Sequence, residues 1–207
     1  MVTTLQASKI TLYDLKEKFS LERADDPQLF REWQDDLPEL TDLEKQELDE
    51  VKADFFHLSQ RPMVEPVVKM VVLAPLLKRA GFYRPPFYLT AEKVVEISSI
   101  DEDTIIKGKL DLLVYTPQFW ILVIEAKRVE YSLEVGIPQA LAYMLASPEN
   151  QEPALGFVTN GLDFIFLKLI KSDTLKYVES DSFSMRRRND LYEVLRILKH
   201  FGNIISR

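Results

Sequence analysis

The sequence predicts an α/β fold: a mixed central sheet flanked by helices, preceded by an acidic helical N-terminal extension. Three observations carry that reading. From residue 62 the apolar pattern switches between helical and strand periods in the order helix, three strands, helix, two strands, helix. The third strand candidate, residues 119–127, is apolar on both parities, with Ile121 and Val123 on one and Leu122 and Ile124 on the other. That is the pattern of a central strand buried on both faces. Asn160-Gly161 then separates two apolar runs, the strongest short hairpin signal in the chain.

The elements follow in order. Residues 42–58 place Leu43, Leu48, Val51, Phe55 and Leu58 at helical spacings, and Thr41 with Glu44 forms a capping box. A shorter helix is expected at 27–33, broken by Asp35, Asp36 and Pro38. Residues 65–80 make an apolar helix with Pro66 in its first turn and Gly81 just past its end. Pro75 removes an N–H from that helix and should bend or loosen it. Strands are expected at 87–98, 106–115 and 119–127, a helix at 133–146, strands at 154–159 and 163–170, and a closing helix at 188–201.

Charge divides the chain. Residues 1–60 carry 7 Lys/Arg against 15 Asp/Glu, while residues 61–207 carry 19 against 18, so the net −7 belongs to the first part. The division at residue 60 separates the acidic extension from an α/β core within one compact unit. The acidic residues could dock a basic partner or shield another face. The last stretch, 184–207, is basic, with six Lys/Arg against two Asp/Glu. A phosphate-backbone partner is therefore compatible with the acidic total.

Composition also excludes chemistry. With no cysteine there are no thiol nucleophiles, disulfides or thiolate metal sites. The only histidines, His57 and His200, lie far apart in sequence. Any metal must be held by carboxylates, which favours Mg²⁺ or Mn²⁺. Gly156 to Gly161 is the only G-x-x-x-x-G, and Leu162 and Asp163 follow where a phosphate loop needs Lys and Ser or Thr, so no nucleotide-driven motor is expected. No run is apolar enough to serve as a signal peptide or to span a bilayer, and a soluble cytoplasmic protein is the expectation.

Charged residues inside apolar strands are the informative exceptions, because burying them is costly. Asp111 lies in KGKLDLLVY, and Glu125 and Lys127 lie in WILVIEAKR. Period-two alternation puts Glu125 and Lys127 on one face. With residues 116–118 as the turn, paired positions sum to about 235, placing Asp111 opposite position 124 or 125. In one of these registers the two carboxylates stand side by side, where a proton or a divalent cation must join them. Such a pair with an adjacent lysine suits phosphodiester hydrolysis by metal-activated water.

Asp111, followed fourteen positions later by Glu125-Ala126-Lys127, resembles the PD-(D/E)xK nuclease superfamily. The helix, three strands, helix, strand order of that family's core matches residues 62–170, about half of the chain. Glu65 is similar to the first-helix glutamate of these nucleases. Gln139 and Tyr143 resemble the Q-x-x-x-Y element of RecB-like nucleases and of type I restriction motor subunits. Leu110 stands where the name-giving proline would be.

The resemblance implies a Mg²⁺- or Mn²⁺-dependent DNA endonuclease, with Glu65, Asp111 and Glu125 as metal ligands and Asp111, Glu125, Lys127 and Gln139 in catalysis. Lys107, Lys109, Arg128, Tyr143 and the run Arg186, Arg187, Arg188 are the candidate DNA contacts. A homodimer would supply the two sites that a double-strand cut needs. The alternative is a nuclease-fold DNA-binding or assembly module with weak or absent catalysis.

Overall fold

The computed structural model describes residues 3–98, 104–117, 120–148, 154–172 and 174–205, the side chains of Ile121 and Ile205 excepted. Positions 118 and 119, the expected turn end and strand start, lie outside the described residues. The chain opens with β1 (Thr3–Gln6), a 3-10 turn at Ala7–Lys9, α1 (Leu12–Phe19) and β2 (Glu22–Arg23). A 3-10 segment at Pro27–Trp33 leads to α2 (Asp42–Leu58), whose Thr41–Glu44 capping box forms as its sequence requires.

The next helix is continuous in path but changes pitch. It runs from α3 (Glu65–Val68) through a π-helical turn (Lys69–Leu73) into α4 (Ala74–Arg79), and Gly81 follows at φ +90°. The π turn is the loosening expected of Pro75: an α-helical Pro75 ring would press on the carbonyl four residues back. Widening lets the Ala74 N–H bond to the Lys69 carbonyl instead.

Strands β3 (Tyr88–Ser98), β4 (Thr104–Tyr115) and β5 (Trp120–Ala126) precede a 3-10 turn at Leu133–Val135 and α5 (Ile137–Leu145). Then come β6 (Ala154–Thr159), β7 (Asp163–Lys171), β8 (Leu175–Glu179), β9 (Phe183–Ser184) and α6 (Asp190–Ile205). The strands form one mixed sheet in the order β1-β4-β5-β6-β7-β8-β2, with β3 also on β4 and β9 on β7. Pairs β1/β4, β2/β8 and β5/β6 are parallel, and the others are antiparallel. The β6–β7 hairpin turns at Gly161, φ +84°, where an added Cβ would lie 2.9 Å from Val68 Cγ1 and 3.0 Å from Phe55 Cε2. The turn thus packs under α2 and α3, and only glycine fits it.

Each face of the sheet carries its own core, and strand alternation sorts residues between them. Leu122, Ile124, Phe164 and Phe166 pack with α2, α3, α4 and α6, whereas Val123, Ile165 and Leu167 pack with α1 and α5. The result is a three-layer sandwich.

The reading of residues 1–60 as helical alone is corrected. β1 adds to β4 and β2 adds to β8, so the N-terminal part contributes strands to the sheet as well as helices over it. Much of its acidity is also spent within the chain. Glu32 pairs with Lys168, Glu39 with Arg196, Glu44 with Lys199 and Glu47 with Arg79, and Asp49 accepts from the Tyr192 hydroxyl. Among the described residues no helix is long and apolar enough to cross a membrane.

Candidate functional site

The site forms where β4, β5, α3 and α5 meet, and two backbone irregularities bracket Asp111. The β4–β5 ladder pairs Tyr115 with Trp120 but Val114 with Leu122, leaving Ile121 as an extra residue. Paired positions sum to 235 at the turn and to 236 beyond this bulge, down to Leu112↔Ile124. The next positions along both strands are Asp111 and Glu125. The bulge therefore selects, from the two registers the sequence allows, the one that brings the carboxylates opposite each other. On the other side, β3 pairs Ala91 with Leu112 and Lys93 with Leu110 and skips the pair between, where Glu92 takes φ +53°. Asp111 is thus freed from regular pairing on β3, and its Oδ2 accepts the backbone N–H of Ala126 at 2.7 Å.

Two cations organise the acids. Lys69 Nζ stands 2.7 Å from Asp111 Oδ1 and 2.7 Å from Glu65 Oε1, joining α3 to β4. Lys127 Nζ stands 2.5 Å from Glu125 Oε1 and donates to Gln139 Oε1 at 2.8 Å. Gln139 Nε2 donates to the Tyr143 hydroxyl at 3.0 Å, and that hydroxyl donates to the Lys109 carbonyl at 2.8 Å. A continuous polar chain therefore fixes Lys127 against α5 and β4.

Glu125 is the most perturbed group. It is 1% exposed, and its Oε2 has no hydrogen-bond partner in the protein. Burial pushes its carboxyl up to about 8, with the Asp111 carboxylate adding to the rise and Lys127 opposing it. Burial also raises the Tyr143 phenol, to about 12, so it stays an O–H donor at neutral pH. Burial would lower the Lys69 ammonium, but its bonds to Asp111 and Glu65 outweigh this and hold it above the ordinary lysine value.

The structure thus places Glu65, Asp111, Glu125, Lys127, Gln139 and Tyr143 in one linked cluster. Its acids are not closed into a cage: among the described residues no three acidic or histidine side chains are drawn together at metal-holding spacing. The residue that sequence reasoning missed is Lys69. Its signal was available, as a charged residue interrupting the apolar run PVVKMVVL, but its i, i+4 relation to Glu65 reads as an ordinary helix-surface pair.

The expected DNA contacts fare unevenly. Tyr143 is 1% exposed, and its hydroxyl is spent inside, so its role as a DNA contact is corrected to an internal one. An aromatic ring buried on a helix face beside the sheet cannot also reach a phosphate. Arg128 is exposed directly after Lys127, and Lys109 is exposed on β4. Lys107 is drawn to Glu96 at 2.8 Å, and Lys109 faces Glu92 at 3.9 Å. Arg186, Arg187 and Arg188 are exposed before α6. Arg187 bonds Asp190 and the Ser182 carbonyl, and its own carbonyl accepts Lys52 of α2. None of these contacts reaches the carboxylate cluster.

Gly108 guards the polar chain. A Cβ there would lie 2.6 Å from the Tyr143 hydroxyl and 2.5 Å from Ala7 Cβ. Gly108→Ala is expected to displace Tyr143, break its two hydrogen bonds and cost about 1–3 kcal/mol of stability, read by denaturant unfolding. An unchanged midpoint would show that Tyr143 is not held there.

No protein-family model and no curated protein sequence matches the chain. Among solved structures, a fragment described as the HsdR subunit of a type I restriction enzyme from Vibrio vulnificus aligns with a TM-score of 0.41 and 22% identity. The alignment covers 65% of this chain and 25% of that one, so the chain spans about a quarter of that structure's length.

Proposed function

We propose that the chain is a Mg²⁺- or Mn²⁺-dependent nuclease of the PD-(D/E)xK kind, acting on DNA. The observation that carries this is the convergence of Asp111, Glu125 and Lys127 at the end of paired strands, with Glu125 buried and one of its oxygens unpartnered. A buried carboxyl with an orphaned oxygen normally costs stability. It is accounted for if that oxygen is a ligand. Carboxylates are the ligands a hard divalent cation takes, and Glu65, Asp111 and Glu125 are the ones that would hold it once drawn together; a lysine ammonium already lies between the first two. When bound, such a cation would acidify an attacking water and neutralise charge on the scissile phosphate.

The chain's own residues supply the rest. Lys127 spends two of its three N–H donors on Glu125 and Gln139, leaving one for the water or a phosphate oxygen. Gln139, steadied by Tyr143, aims that ammonium, so its part is positional. Asp111 is aimed by the Ala126 N–H, which bonds its Oδ2. Arg128 and Lys109 flank the cluster on exposed surface and are the contacts for backbone phosphates.

The test is cleavage of supercoiled plasmid with Mg²⁺ or Mn²⁺. Wild-type protein is expected to nick it, and Asp111→Ala is expected to lower the rate at least about 100-fold while the far-UV spectrum stays native. Equal rates for the two proteins would end the proposal. A cation-induced thermal shift without any cleavage would favour a binding or assembly module instead.

A further inference from the structure

We infer that Lys69 is a resident counter-ion of the carboxylate cluster, which a divalent cation must displace, and that it thereby sets the cluster's metal affinity. The inference deepens the metal-centre reading above and rests on it. Lys69 Nζ bonds two carboxylates from different elements, Glu65 on α3 and Asp111 on β4, at 2.7 Å each. A helix-surface lysine paired only with its i, i+4 glutamate would do neither. The π turn begins at this residue, so the helix changes pitch at the point from which Lys69 reaches β4. Its side chain remains 28% exposed, which leaves it a path to solvent.

Occupancy is exclusive. The oxygens that hold Lys69, Glu65 Oε1 and Asp111 Oδ1, belong to two of the three acids that fit a metal, while Glu125 Oε2 stands unused. With the ammonium in place each of the two carboxylates bonds its nitrogen at 2.7 Å, and a cation held by the same oxygens would take that nitrogen's place. A divalent ion carries twice the charge of the ammonium and can also engage Glu125, so it wins at sufficient concentration. Its apparent affinity is reduced by the fraction of molecules in which Lys69 has already left.

The experiment is Mn²⁺ binding to the full chain by isothermal titration calorimetry, with thermal shift as a second readout, for wild type, Lys69→Met and Lys69→Arg. Lys69→Met is expected to bind Mn²⁺ about tenfold more tightly or better and to gain more in Tm from it. Lys69→Arg keeps the charge and is expected to stay within about threefold of wild type. If Lys69→Met does not fold alone, it is expected to fold on Mn²⁺ addition, at lower concentration than shifts wild type. The inference is overturned if Lys69→Met binds no more tightly than wild type, or if Lys69→Arg tightens binding equally. No binding to any of the three at millimolar Mn²⁺ would bring down the metal centre itself, and this inference with it.

Discussion

Glu125→Gln is expected to gain stability on wild type steadily as pH rises from about 5 to about 8, in the absence of divalent cations. The cause is the buried Glu125 carboxyl, raised from an ordinary 4.5 to about 8 by burial and by Asp111. Between those values the folded protein holds a proton that the unfolded chain has released. Fewer protons on the unfolded state means that stability falls with rising pH through this window and levels off above it. The raised value spans 8 − 4.5 = 3.5 units, so the wild-type loss is on the order of 5 kcal/mol at most. Glutamine keeps the shape and an acceptor for Lys127 but does not titrate, so it removes this slope. Urea unfolding of both proteins in EDTA at three pH values measures it. Parallel curves for the two would mean that Glu125 is not raised. With saturating Mn²⁺ the falling slope of wild type is abolished: the cation takes the ionised carboxyl, so folded and unfolded chains both lack the proton, while Mn²⁺ binding itself strengthens with pH and releases a proton, a response that Glu125→Gln lacks.

The parts of this site that were legible in sequence are the parts with local periodicity. Parity alone puts Glu125 with Lys127, the i, i+4 spacing alone puts Gln139 with Tyr143, and both arrangements stand in the structure. The Thr41 capping box, the Pro75 disturbance and the Asn160-Gly161 turn are likewise consequences of neighbours a few residues apart.

What was not legible depends on distant contacts. The register that sets Asp111 against Glu125 hangs on one extra residue, Ile121, which no local pattern reveals because both parities of β5 are apolar. β1 and β2 are four and two residues long, and their reason for being strands is a parallel partner more than a hundred positions away, at Thr104–Lys107 and Lys176–Tyr177. Lys69 escaped notice because its second partner, Asp111, lies 42 positions on. The inward turn of Tyr143 is likewise beyond sequence, since spacing on a helix says which residues share a face and not which face is covered.

Phe166→Ala and Phe30→Ala are both expected to cost about 3–5 kcal/mol and to lower a single unfolding transition. Phe166 is fully buried on β7, with Phe157 stacked at 4.8 Å and Phe201 edge-on at 5.4 Å. Phe30 comes from the acidic N-terminal part, is equally buried, and stacks on the same Phe201 at 6.2 Å. A shared aromatic cluster makes the two substitutions reports on one core, even though a charge boundary at residue 60 divides the sequence between them. Calorimetry distinguishes the cases: if Phe30→Ala split off an early transition and left the main one unmoved, the N-terminal part would be folding by itself. The outcome reaches the site as well. Phe55 of α2 and Val68 of α3 pack together over the Gly161 turn, and α3 carries Glu65 and Lys69. Loosening the N-terminal part should therefore loosen the placement of Glu65, one of the acids proposed to hold the cation, and Phe30→Ala should weaken Mn²⁺ binding although it touches no ligand.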